Sequence, residues 1–119
     1  MLIERQALAS RVADMATRLE AVAAPLRHAA RAVDERSADA DVLCNMAKVF
    51  AFHEAVTVCQ NAMELHGGYG AMLDVGVETY MRDALISLHS DGTTDVSNFK
   101  IVKAMFPATA GRYAVEGSS

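Results

Sequence analysis

Residues 8–33 read LASRVADMATRLEAVAAPLRHAARAV, and the spacing of their apolar members decides the fold class. Leu8, Val12, Met15, Leu19, Val22, Leu26, Ala29 and Val33 recur at alternating intervals of four and three, which keeps one apolar stripe along a helix from end to end. Pro25 lies inside this stretch. It removes a backbone donor and crowds the preceding turn, so a kink or a fresh helix start is expected there. Asp34-Glu35-Arg36-Ser37 then breaks the pattern.

Outward from this helix the same spacing returns. Val42, Met46, Val49, His53, Val56, Gln60 and Met63 form a second stripe that runs until Gly67-Gly68, where glycine favours left-handed backbone and stops a helix. The two long helices are expected to pack antiparallel. Val77, Tyr80 or Met81, Ala84, Leu85 and Leu88 mark a shorter third helix, with Glu78 and Arg82 one turn apart and able to pair. After a break at Ser90 to Thr93, Val96, Phe99, Val102 and Phe106 mark a fourth, which Pro107 ends. No segment alternates apolar and polar residues with period two, as a half-buried strand does. The fold class is therefore all-α, and an up-and-down four-helix bundle over residues 1–119, a single helical domain, is the economical way to close four such stripes on one core.

Composition narrows the partners. A net charge of −4 on 119 residues leaves no basic face for phosphates, which argues against nucleic acid and against an anionic membrane surface. A chain of this size has a modest core, so self-association is a reasonable expectation. Cys44 and Cys59 form no CxxC or Cys/His cluster and read as core thiols of a reducing, cytoplasmic compartment. Met1-Leu2-Ile3-Glu4-Arg5 mixes charge into a short apolar start, so neither a signal peptide nor a spanning segment is expected. His53 and His66 have no second ligand at metal spacing, so no metal site is expected and His53 reads as a core histidine. The scattered methionines, with Phe50 and Phe52, read as packing residues.

Three segments carry candidate chemistry. Ser90-Asp91-Gly92-Thr93-Thr94-Asp95 stands just before the fourth helix, where free N–H groups and the positive end of the helix dipole favour negative charge. Its carboxylate at Asp91 could act as a base; equally, Asp91 or Thr93 could simply cap the helix, with Asp95 well placed in the first turn. Glu64-Leu65-His66-Gly67-Gly68-Tyr69-Gly70 could let a phosphate approach the backbone closely, or only stop a helix. Tyr80-Met81-Arg82-Asp83-Ala84 is accounted for by ion pairing.

Together these segments resemble the C-terminal helical domain of the acyl-CoA dehydrogenase family. The Asp91 run is similar to the family's Tyr-Glu-Gly-Thr-Ser, the Glu64 run to its Gln-x-x-Gly-Gly-x-Gly, and Arg82-Asp83 to its Arg-Asp pair. Val12-Ala13-Asp14-Met15-Ala16-Thr17 resembles its Leu-Ala-Asp-Met-Ala-Thr, and Asn45-Met46-Ala47-Lys48 its Ala-Met-Ala-Lys. The family's N-terminal helical domain, its β-domain and the first helix of its C-terminal domain have no counterpart in the chain.

The resemblance implies an FAD-dependent α,β-dehydrogenation of an acyl-CoA or acyl-carrier thioester. In the family the Glu of Tyr-Glu-Gly-Thr-Ser takes the α-proton and its backbone N–H holds the thioester carbonyl. Asp91 falls at that place as catalytic and substrate-binding residue, with Gly92 beside it. The shorter side chain withdraws the carboxylate by roughly one bond length, about 1.5 Å. Cofactor contacts are implied for Glu64, Gly67, Gly68, Thr93, Thr94 and Asp95, on an FAD shared with another chain or lost. Glu64 stands where the family has Gln, replacing a donor with a negative charge. Implied partners are a second copy of the chain, a chain carrying the flavin-binding β-domain, or both. The alternative is a non-catalytic helical module for oligomerisation or partner docking.

Overall fold

The computed structural model describes residues 6–67, 76–88 and 94–108. Four helices account for nearly all of them: α1 Gln6–Asp34, α2 Ala40–Leu65, α3 Val77–Ser87 and α4 Thr94–Met105, with no strand among the described residues. The all-α class read from the periodicity is what the chain adopts.

α1 is rich in alanine, leucine and arginine, all strong helix formers, and it runs through Pro25 as one element rather than starting again. Its end is built by the backbone. Arg36 adopts φ 53°, and this left-handed turn lets Ser37 N–H donate to Ala32 O at 2.9 Å and Arg36 N–H to Val33 O at 3.1 Å. These are the two bonds of a Schellman stop, here with arginine where glycine is usual. α2 ends at Leu65 with Gly67 at φ 58°, the left-handed residue that the Gly67-Gly68 stop requires. α4 stops at Met105, two residues before Pro107.

α1 and α2 pack antiparallel. Arg11 pairs with Glu64, and Arg18 with Glu54, so the partner position falls along α2 as it rises along α1. α3 and α4 also pack on α2, and among the described residues neither packs on α1 or on the other. α2 is thus the axis of the fold. Its length and composition alone would let it cross a membrane, and in the fold it packs against the three other helices.

This arrangement leaves the bundle open. Its buried apolar residues among those described are alanines, namely Ala29, Ala32, Ala47 and Ala84, joined by Ser97 of α4. Small side chains let helix axes approach closely, yet no large side chain among the described residues is fully buried.

The open packing corrects three assignments. His53 is exposed rather than in the core, because the faces that α2 buries are set by three neighbours and not by one stripe. Cys44 is exposed for the same reason, while Cys59 is half-buried. Met46, Phe50 and Met105 likewise keep more than a third of their surface in contact with solvent.

Candidate functional site

Two helix ends carry the described candidate residues. At the C-terminal end of α2, Glu64 is exposed and its Oε2 accepts from Arg11 Nη1 of α1. His66 closes the helix: its backbone N–H bonds Met63 O at 3.2 Å, and its Nδ1 lies 2.8 Å from Ala62 O. Gly67 follows in the left-handed conformation, and a Cβ built there would meet nothing within 4 Å. Positive φ, rather than crowding, is therefore what calls for glycine at this position.

The second end is the start of α4. Thr94 is its first residue and half-buried; Asp95 is exposed in the first turn, where the positive end of the dipole favours a carboxylate. Among the described residues no hydrogen bond or ion pair joins Thr94 or Asp95 to Glu64 or Gly67. Gly68, Asp91, Gly92 and Thr93 lie outside the described residues.

Arg11 is the functional candidate that the sequence reading missed. It stands 53 residues from Glu64, and only the antiparallel register of α1 and α2 brings the two together. No local spacing signals such a pair. Its effect is electrostatic: the carboxylate that replaces the family's glutamine is met by a guanidinium. Both side chains are about half exposed, so solvent screens the pair.

The third segment behaves as an ion pair. Arg82 Nε donates to Glu78 Oε1 at 2.6 Å across one turn of α3, while Glu78 Oε2 is buried and accepts no hydrogen bond from a described residue. Asp83 is exposed. No group of three or more metal-ligating side chains occurs among the described residues.

Residues 1–106 match the family described as acyl-CoA dehydrogenase, C-terminal domain. Isobutyryl-CoA dehydrogenase, mitochondrial, of Bos taurus is 39% identical over 104 residues, covering 87% of this chain and 25% of its own length. An acyl-CoA dehydrogenase of Bacillus subtilis (strain 168) is 36% identical over 104 residues, covering 87% of this chain and 27% of its own. A chain of the solved structure described as the electron transferring flavoprotein of Acidaminococcus fermentans superposes with a TM-score of 0.80 at 36% identity, covering 87% of this chain and 27% of that one. The chain thus spans about a quarter of the length of the curated relatives it matches. The open four-helix fold, the left-handed glycine turn after α2 and the match over residues 1–106 lead to one conclusion: this chain belongs to the acyl-CoA dehydrogenase family, as its C-terminal helical domain.

Proposed function

We propose that this chain is the C-terminal part of an FAD-dependent oxidoreductase that introduces an α,β double bond into an acyl thioester, working with a flavin-binding β-domain supplied elsewhere. The family match over residues 1–106 carries the reading, and the Arg11–Glu64 pair supports it by offsetting the charge that Glu64 brings to the cofactor side. When bound, FAD supplies the acceptor for the hydride that leaves the β-carbon. The tasks of this chain are binding and proton transfer. The Asp91 carboxylate takes the α-proton, and the Asp91 backbone N–H, with Gly92 beside it, holds the thioester carbonyl, whose oxygen gains charge as that proton leaves. Thr93, Thr94 and Asp95 would contact the flavin, and Glu64, Gly67 and Gly68 would approach its pyrophosphate. The half-buried Cys59 and the exposed Cys44, both free thiols, suit a reducing cytoplasmic setting.

Reconstitution tests this. The chain alone is expected to be colourless. Mixed with a flavin-binding β-domain, it should yield a yellow complex that reduces an artificial electron acceptor in the presence of acyl-CoA. Asp91→Asn should lower that turnover by about 10²-fold or more without loss of flavin. Unchanged turnover in this variant would remove Asp91 from the chemistry.

The second reading, a helical module for assembly, is favoured by the large apolar side chains left exposed on α1. It predicts that partner binding survives replacement of both Glu64 and Asp91.

A further inference from the structure

α3 and α4 stand in sequence on either side of the segment that holds Asp91. Among the described residues they do not pack on each other, and neither packs on α1; each rests on α2. The two contacts are alike. α3 buries Ala84, while Val77, Met81 and Leu88 on the same side of that helix stay half-buried. α4 buries Ser97, while Thr94 and Ile101 on its same side stay half-buried. At each contact a small side chain therefore marks where the helix comes nearest to its support.

We infer that Ala84 and Ser97 are positioning residues for Asp91: their small size seats α3 and α4 closely on α2, which fixes both ends of the link from which the carboxylate works. Residues 89–93 form that link, between Leu88 and Thr94. With no direct packing of α3 on α4, the relation between its two ends is relayed through α2. This role rests on Asp91 as the base that takes the α-proton.

Bulk at either contact would move the helix. A larger side chain in a close-packed interior forces backbone shifts, because there is no void to receive it. Proton transfer requires the carboxylate within about 3 Å of its proton, and a misplacement of about 1 Å can cost roughly 10²-fold in rate. Asp91 makes the demand stricter than glutamate would. Its side chain is one methylene shorter and has one torsion fewer with which to take up an error.

Ala29 separates this role from packing in general. It is buried to the same degree, 5% exposed against 8% for Ala84 and 3% for Ser97, but it lies on α1, which carries neither end of the link. Equal bulk added there disturbs the interior and leaves both anchors in place.

The test uses the complex reconstituted from the full chain and a flavin-binding β-domain. Ala84→Val and Ser97→Val should each lower kcat by about 10-fold to 10²-fold, with flavin content and circular dichroism native. The primary isotope effect on an α-deuterated acyl thioester should rise in both, because proton removal becomes the slower step. Ala29→Val should lower the melting temperature by a similar amount with kcat and isotope effect native. The conservative Ser97→Ala, which adds no bulk, should retain turnover. Where valine prevents folding, Ala84→Cys and Ser97→Thr give the same comparison with less added volume. Native kcat and isotope effect in the Ala84 and Ser97 variants overturn the inference and leave Asp91 as the base. An equal loss in Ala29→Val also overturns it, reducing the effect to packing. Unchanged turnover of Asp91→Asn removes Asp91 and both of its supports from the chemistry.

Discussion

Arg18 of α1 reaches across to Glu54 of α2, with Nη1 2.9 Å from Oε2, while its Nε donates to Asp14 on its own helix at 2.8 Å. One guanidinium thus joins the two long helices and fixes their register. The hydrogen bond to Asp14, and after it that to Glu54, raises the Arg18 pKa above its ordinary value. A cation whose folded pKa is raised keeps its whole contribution at every lower pH and loses it only as pH rises through the strongly alkaline range. Glu54 is 18% exposed and Asp14 is 50% exposed, so the cross-helix partner is the less screened of the two. Glu54→Gln should therefore lower the melting temperature more than Asp14→Asn, with the difference unchanged from neutral to moderately alkaline pH. Equal shifts in thermal melts would show that Glu54 adds nothing beyond the local pair.

Backbone conformation gives two opposite expectations. Gly76 precedes α3 at φ 81°, and nothing lies within 4 Å of where its Cβ would be, so Gly76→Ala costs backbone strain alone, about 1 kcal/mol. Arg36 holds the α1 stop at φ 53° without being glycine, and Arg36→Gly should stabilise the chain by up to about 1 kcal/mol. Urea unfolding curves measure both. The same sign for the two would refute the strain argument.

The two thiols should react at different rates. Burial pushes the Cys59 pKa up, so less of it is thiolate at neutral pH, whereas Cys44 is exposed. Mass spectrometry after brief maleimide treatment should find the label on Cys44 first. Because the folded state holds the Cys59 proton more tightly than the unfolded one, stability should also fall as pH rises past the ordinary thiol pKa. Cys59→Ala should lessen that fall.

The Arg11–Glu64 pair separates stability from cofactor contact. Both side chains are about half exposed, so Glu64→Gln and Arg11→Ala should each change stability by no more than about 1 kcal/mol. In a complex reconstituted with a flavin-binding domain, Glu64→Gln should tighten FAD binding several-fold, and Arg11→Ala should weaken it. Flavin fluorescence titration reads both. Identical FAD affinities across the three proteins would remove this helix end from the cofactor site.

How much was legible in the sequence follows the range of each interaction. Periodicity located all four helices, and the Gly67 and Pro107 stops lie where those residues impose them, because capping and φ preference act within a few residues. Glu78–Arg82 is equally local, one helical turn apart. The Schellman stop at Arg36 was not legible, since arginine carries no preference for positive φ. Nor was the passage of α1 through Pro25, where packing against α2 and the turns on either side outweigh one lost backbone donor.

At the site the division is the same. The glycine turn after α2 and the start of α4 at Thr94 were readable as short motifs. That Glu64 faces Arg11 was not, because the partner comes from a helix that folds back across the chain. Exposure was the least readable property. Val12, Leu19, Leu26 and Val33 have the spacing of core residues, and His53 and Cys44 looked buried, yet all six lie at the surface because α2 alone holds the other three helices.

The sequence by itself thus determined the helices, their ends and the family, all of which follow from short-range backbone preference and from the order of motifs. Tertiary structure decided which apolar stripe is covered, which charge meets Glu64, and that the bundle stays open. Those outcomes depend on how many neighbours each helix has, and a helix's own period carries no information about that number.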